Sequence, residues 1–224
     1  MRSFALTYPQ LIGQGRTLGY APADLARVRA GYDFAERMAD GLYRPHGQPL
    51  ITHLVRTAGI TMAERLPVPA VVAGMNHAAY ELHKFADSRR RPESRAHRDE
   101  LVLALGADAE ALVWAYHETP WYGRVGDYVD GAAELDERTR LVLVLRLANS
   151  LEDHLDDALL FTQPRGKPLE VDEDAIALAR ALGRDVLADE ITAVRASTVR
   201  GAPDQLARPY GLTYELPNRH LWER

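Results

Sequence analysis

Two histidines stand out as residues that could do chemistry. His53 closes the stretch RPHGQPLITH (44–53) and His77 sits inside GMNHAAYEL (74–82). An imidazole can carry a proton or bind a metal near neutral pH. Glu81 follows His77 by four positions, so on the helix expected there the two share a face. Its pKa raised by an apolar wall, Glu81 would suit a general base. A third segment, TRLVLVLRLANSLEDHLDD (139–157), is apolar nearly all round from Leu141 to Leu151, the pattern of a buried helix. It nevertheless carries Arg146, Asn149, Ser150, Asp153 and Asp157 along one stripe. Unpaired buried polar groups are costly, so that stripe must face another polar stripe, a ligand or a cavity. The candidate catalytic residues are His77, Glu81, Asn149 and Asp153. Arg44, Arg56, Tyr80, Arg146 and Trp121 are the candidates for holding a substrate. The structural alternative is a polar network in which His77 bonds Asn149 and Glu81 pairs with Arg56 or Arg146.

Helical periodicity dominates the elements that must position these residues, and strand alternation never persists. Helices are expected over 22–40, about 50–66, 69–84, 96–105, 108–118, 136–157, 172–182 and 184–199. The prolines and glycine of YRPHGQP (43–49) make a turn. On the helix after it, Leu50, Leu54, Ala58 and Met62 form the apolar stripe, which puts His53 at the border of the core. DSRRRPESR (87–95) reads as a loop whose Arg89, Arg90 and Arg91 could grip a phosphate by forked hydrogen bonds. ETPWYGRVGDYVDGAAELD (118–136) reads as a long loop, a candidate lid carrying Trp121, Tyr122, Arg124 and Tyr128. Surface roles are expected for His83, His97, His154 and His220. The sequence implies an all-α single domain, with a core over about 22–157, then further helices and an irregular aromatic tail over 158–224.

The three segments together resemble the HD superfamily of metal-dependent phosphohydrolases, closest in layout to the hydrolase domain of the RelA/SpoT alarmone enzymes. Gly47-Gln48-Pro49 leads to His53, His77-Ala78 is followed by Glu81-Leu82, and Arg146-Leu147-Ala148-Asn149 stands in the late helix. The resemblance implies an HD-like fold over roughly 22–157 and a divalent metal held by two histidines and two aspartates. The matching positions here are His53, His77, Ala78 and Asn149, so both carboxylates are replaced. It also implies that Arg44 corresponds to an arginine that helps hold a nucleotide base. Hard ions such as Mn²⁺ favour anionic oxygen, so standard HD chemistry is not expected. A rebuilt site on His53 and His77, completed by Glu81, would suit Fe(II), Zn²⁺ or Mn²⁺. His117 and Asp153 are further possible ligands. The cofactor expectation is therefore none or a single divalent metal.

The totals narrow the rest. The 224 residues contain no cysteine, which excludes disulfides, thiolate metal sites and cysteine nucleophiles. A net charge of -5 argues against a broad nucleic-acid surface. No uncharged run approaches a membrane span, and MRSFALTYPQ lacks a signal-peptide pattern, so a cytoplasmic location is expected. The expected partner is a small-molecule ligand; a homodimer is compatible with the sequence. The function expected is a diverged HD-fold enzyme acting on a small polar, phosphorylated or nucleotide-like metabolite. The alternative is a non-catalytic binding or regulatory protein with a degenerate site.

Overall fold

A computed structural model of the chain describes residues 1–44, 46–82, 94–155 and 173–199. Among these residues the regular structure is all helical, and no helix is long and apolar enough to cross a membrane. The helices are α1 (Tyr8–Thr17), α2 (Pro22–Ala39), α3 (Leu50–Ala63), α4 (Val68–Asn76), α5 (Arg95–Leu105), α6 (Ala107–Glu118), α7 (Val125–Asp130), α8 (Glu137–His154), α9 (Glu173–Ala181) and α10 (Asp185–Val199).

Local chemistry sets the boundaries. Gln10 Oε1 accepts from Thr7 N at 3.2 Å, and Ser94 and Asp136 accept from the amides of His97 (3.4 Å) and Thr139 (2.9 Å), supplying the partners that helix N-termini lack. Pro22 and Pro69 enter first turns, where the missing amide costs nothing. Gly106, at φ +89°, lets the chain reverse between α5 and α6.

α3 and α4 form the centre. Every residue of α3 from His53 to Met62 is buried, as is nearly every residue of α4. α3 packs against α4, α8, α1 and α2, while α4 also meets α2, α6 and α8. The border position expected for His53 is therefore corrected. It assumed one apolar stripe, but α3 is enclosed on several sides and His53 is only 3% exposed.

Three boundaries also differ from expectation. α4 stops at Asn76 rather than continuing to about residue 84, because bonds from Ala79 N to Asn76 O (3.0 Å) and from Glu81 N to Ala78 O (2.8 Å) tighten the chain into turns. The long loop contains α7 and a 3₁₀ turn at Ala132–Glu134, and α1 precedes the first helix read from the sequence. Arg89, Arg90, Arg91, His83, Asp157, His220, the turn at 163–168 and the aromatic tail lie outside the described residues.

Candidate functional site

The site begins with the turn before α3. Tyr43 bridges to Pro49, Arg44 N donates to Gln48 O at 2.8 Å, and Gly47 N donates back to Arg44 O at 2.8 Å. Gly47 sits at φ +93°, a conformation a side chain would strain. This turn holds the Arg44 side chain, 10% exposed, over the first turn of α3. There Arg44 Nη1 contacts His53 Nδ1 and donates to Glu152 Oε2 (3.1 Å), while Nη2 donates to Asp153 Oδ1 at 2.5 Å. His53 Nδ1 also contacts Glu152 Oε2. Arg56 completes the charges, with Nε 3.7 Å from Glu152 Oε1. Two guanidinium groups thus balance two carboxylates.

His77 caps the C-terminus of α4. Its Nδ1 donates to Gly74 O at 2.7 Å, and its Nε2 faces His53 Nε2 at 3.3 Å. Its ring leans on Tyr116 (centroids 5.1 Å apart), and Arg146 stacks over the Tyr116 ring, its guanidinium carbon 3.8 Å from the centroid. Arg146 Nη2 donates to the carbonyls of Tyr116 (2.5 Å) and Thr119 (3.2 Å). A continuous line therefore runs from Arg44 through His53, His77 and Tyr116 to Arg146. Buried beside it, Asn149 Oδ1 and Arg146 Nε make no hydrogen bond among the described residues.

Burial governs the electrostatics. Desolvation, helped by Arg44, pushes His53 down to about 3; desolvation and then the neighbouring His53 push His77 to about 3 as well. Both rings are neutral near pH 7. Burial raises the Glu152 carboxyl, with Arg44 and Arg56 opposing, and raises the Tyr116 phenol, with Arg146 opposing.

Of the residues singled out from sequence, Arg44, His53, Arg56, His77, Arg146, Asn149 and Asp153 come together in or beside this line. Glu81 does not share a helical face with His77, because α4 has ended; it is exposed in the following turn. Tyr80 is buried in a separate cluster, donating to Glu110 Oε1 at 2.7 Å beside Arg98, Trp114 and His117. Trp121 is half-buried against the core, and Tyr122 is exposed. The surface expectation for His97 and His154 is corrected: they are 2% and 6% exposed, and His154 Nδ1 bonds Ser150 O at 2.8 Å.

Glu152 and Tyr116 are the residues the sequence reading missed. Glu152 lies three positions after Asn149, hence one helical turn along the same stripe, and that spacing is the signal that could have found it. Tyr116 had no such mark, since an aromatic in a helical apolar run reads as core.

His53, Glu152 and Asp153 are grouped closely enough to hold an ion among the described residues. The guanidinium of Arg44 touches all three, so the cation of that group is already part of the chain. The other edge of His53 offers a different donor set. Two nitrogens on a tetrahedral ion with bonds of about 2.0–2.1 Å lie about 3.3 Å apart, the separation of the two Nε2 atoms. Each ring is also held at its other nitrogen by a carboxylate or a carbonyl, the usual support of a ligating histidine. By its chemistry, a pair of neutral imidazole nitrogens suits a borderline ion such as Zn²⁺ or Fe(II) better than Mn²⁺ or Mg²⁺.

A family described as a domain of unknown function, DUF6817, matches residues 34–120. The match spans the end of α2 through α6 and includes His53, His77 and Tyr116, while Arg146, Asn149, Glu152 and Asp153 lie beyond it. No curated protein matches the chain.

Proposed function

We propose that this protein is a diverged HD-type enzyme whose reactive centre is the His53–His77 pair, acting on a small metabolite with an anionic group of the phosphate class. The observation that carries the reading is the facing of two buried, neutral imidazoles through Nε2, each fixed at its other nitrogen. Held at that pair, a borderline ion would polarise a substrate oxygen or acidify a water. The chain's own residues have the remaining tasks. Arg146, braced on Tyr116, presents positive charge to the anionic group. Asn149 offers a carbonyl oxygen that makes no hydrogen bond among the described residues. Glu152 and Gly74 O orient the two imidazoles. Glu81, exposed at the end of the tight turn, is suited to exchanging a proton with solvent rather than to work inside the line.

A second reading is a ligand-binding protein without turnover. It is favoured by Ala78 and Asn149 at the carboxylate positions and by the charge balance between Arg44, Arg56, Glu152 and Asp153. Thermal-shift screening against phosphate monoesters and nucleotides, followed by turnover assays, separates the two. The expected result is a ligand that raises the wild-type Tm but not that of Arg146→Gln, with turnover lost in His77→Gln. Binding without turnover would establish the second reading. Binding and turnover indifferent to both substitutions would remove the site.

A further inference from the structure

His53 Nδ1 has two neighbours with opposite requirements. Arg44 Nη1 can only donate and needs a lone pair at Nδ1; Glu152 Oε2 accepts and favours a proton there. On the opposite edge, His77 leaves no freedom. Its Nδ1 donates to Gly74 O, so in the neutral ring its Nε2 is an acceptor facing His53 Nε2 at 3.3 Å.

A neutral His53 has one ring proton to place. On Nε2, the proton is donated to His77, and Nδ1 accepts from Arg44. The chain Arg44, His53, His77, Gly74 O then has an acceptor for each donor. On Nδ1, the proton meets an Arg44 donor, and two lone pairs oppose each other across the 3.3 Å gap. With Arg44 docked, the first arrangement satisfies Arg44 and the His77 edge, and Glu152 Oε2, which then receives no proton from His53, still accepts from Arg44 Nη1 at 3.1 Å. With Arg44 gone, an Nδ1 proton gains a charge-assisted bond to Glu152, and both Nε2 lone pairs converge on one point.

We propose that Arg44 is a tautomer lock on His53. Docked, it favours the proton on Nε2 and weakens the His53–His77 pair as a cation site without abolishing it; withdrawn, it moves the proton to Nδ1 and strengthens the pair. The number of bound protons does not change. An anionic ligand that draws the guanidinium from Glu152 and Asp153 opens the lock, so anion and cation bind with positive coupling. This last step rests on the proposed reading of the pair as a cation centre; the lock itself does not.

Nitrogen-15 NMR of the histidine rings in the metal-free full chain tests the lock, with His53 assigned by its loss in His53→Gln. The wild type should carry the His53 proton on Nε2, and Arg44→Met should carry it on Nδ1. A wild-type proton on Nδ1, or a proton that stays on Nε2 in Arg44→Met, would overturn the lock. The His77 signal, Nδ1-protonated throughout, checks that the variant is folded; if the variant loses it, the wild-type ring alone decides. Co²⁺ titration tests the consequence: Arg44→Met should bind on the order of tenfold tighter than wild type. Equal affinity would overturn the gating. No Co²⁺ binding by either protein, with the tautomer moved as expected, would retire the cation reading and leave the lock standing.

Discussion

Glu152 meets Arg44, Arg56 and His53 with almost no exposed surface. Removing it would take away the buried carboxylate that Arg44 and Arg56 share. Glu152→Ala should therefore destabilise the fold by roughly 3–5 kcal/mol, and Glu152→Gln by less, as read from urea unfolding. The histidines give a pH signature. His53 and His77 have folded pKa values of about 3 against the ordinary 6.5, so between those values the unfolded chain binds more protons. Their contribution is complete above about pH 6.5 and is lost as pH falls toward 3. His46 and His154, also lowered, act in the same direction. Glu152, raised, acts oppositely, but it is one group against four. The urea midpoint should rise from pH 4 to pH 7 and then level, with a shallower rise in His77→Gln. Legibility at this scale followed spacing. His53, His77, Asn149 and Asp153 were visible because their types break apolar runs. Glu81 misled because four-residue spacing matters only where the helix continues.

α4 is the element on which the site depends. Its Gly74 lets α3 and α8 approach: an added Cβ would lie 3.1 Å from Thr61 Cγ2 and 3.4 Å from Leu145 Cδ2. The same residue supplies the carbonyl that fixes His77. Gly74→Val should overpack this crossing at a cost of about 1–3 kcal/mol. It should also change the His77 ring environment, so unfolding and the His77 NMR signal should move together. Most helices were legible from apolar periodicity, and α2, α3, α5, α6 and α8 begin within a residue or so of the expected positions. The end of α4 was not, because Ala78, Ala79 and Tyr80 are as compatible with a helix as with the turns that form. What bends the chain there is packing: Tyr80 turns inward to Glu110 and Trp114.

Across the whole molecule, the chain's beginning is tied to its last described helix. Arg2 binds Glu64 (2.6 Å) after α3 and Glu190 (2.8 Å) on α10, and Arg184 approaches Glu64 at 3.8 Å. Both glutamates are buried, while the Arg2 side chain is 30% exposed. Arg2→Ala should cost on the order of 2–3 kcal/mol after allowance for that exposure, by denaturant unfolding. Adding Glu190→Gln should recover part of the loss, because it removes one stranded charge. The all-helical architecture was legible from composition and period. This long-range clamp was not, since nothing local distinguishes Arg2 or Glu190 from surface residues.

The central claim is that His53 and His77 form one centre through their facing Nε2 atoms. Elemental analysis of protein expressed with manganese, iron and zinc available, wild type beside His53→Ala and His77→Ala, tests it most directly. The account predicts one borderline ion per wild-type chain, zinc or iron rather than manganese, lost in both variants. An ion retained in either variant, or no ion in the wild type even after reconstitution, would contradict it.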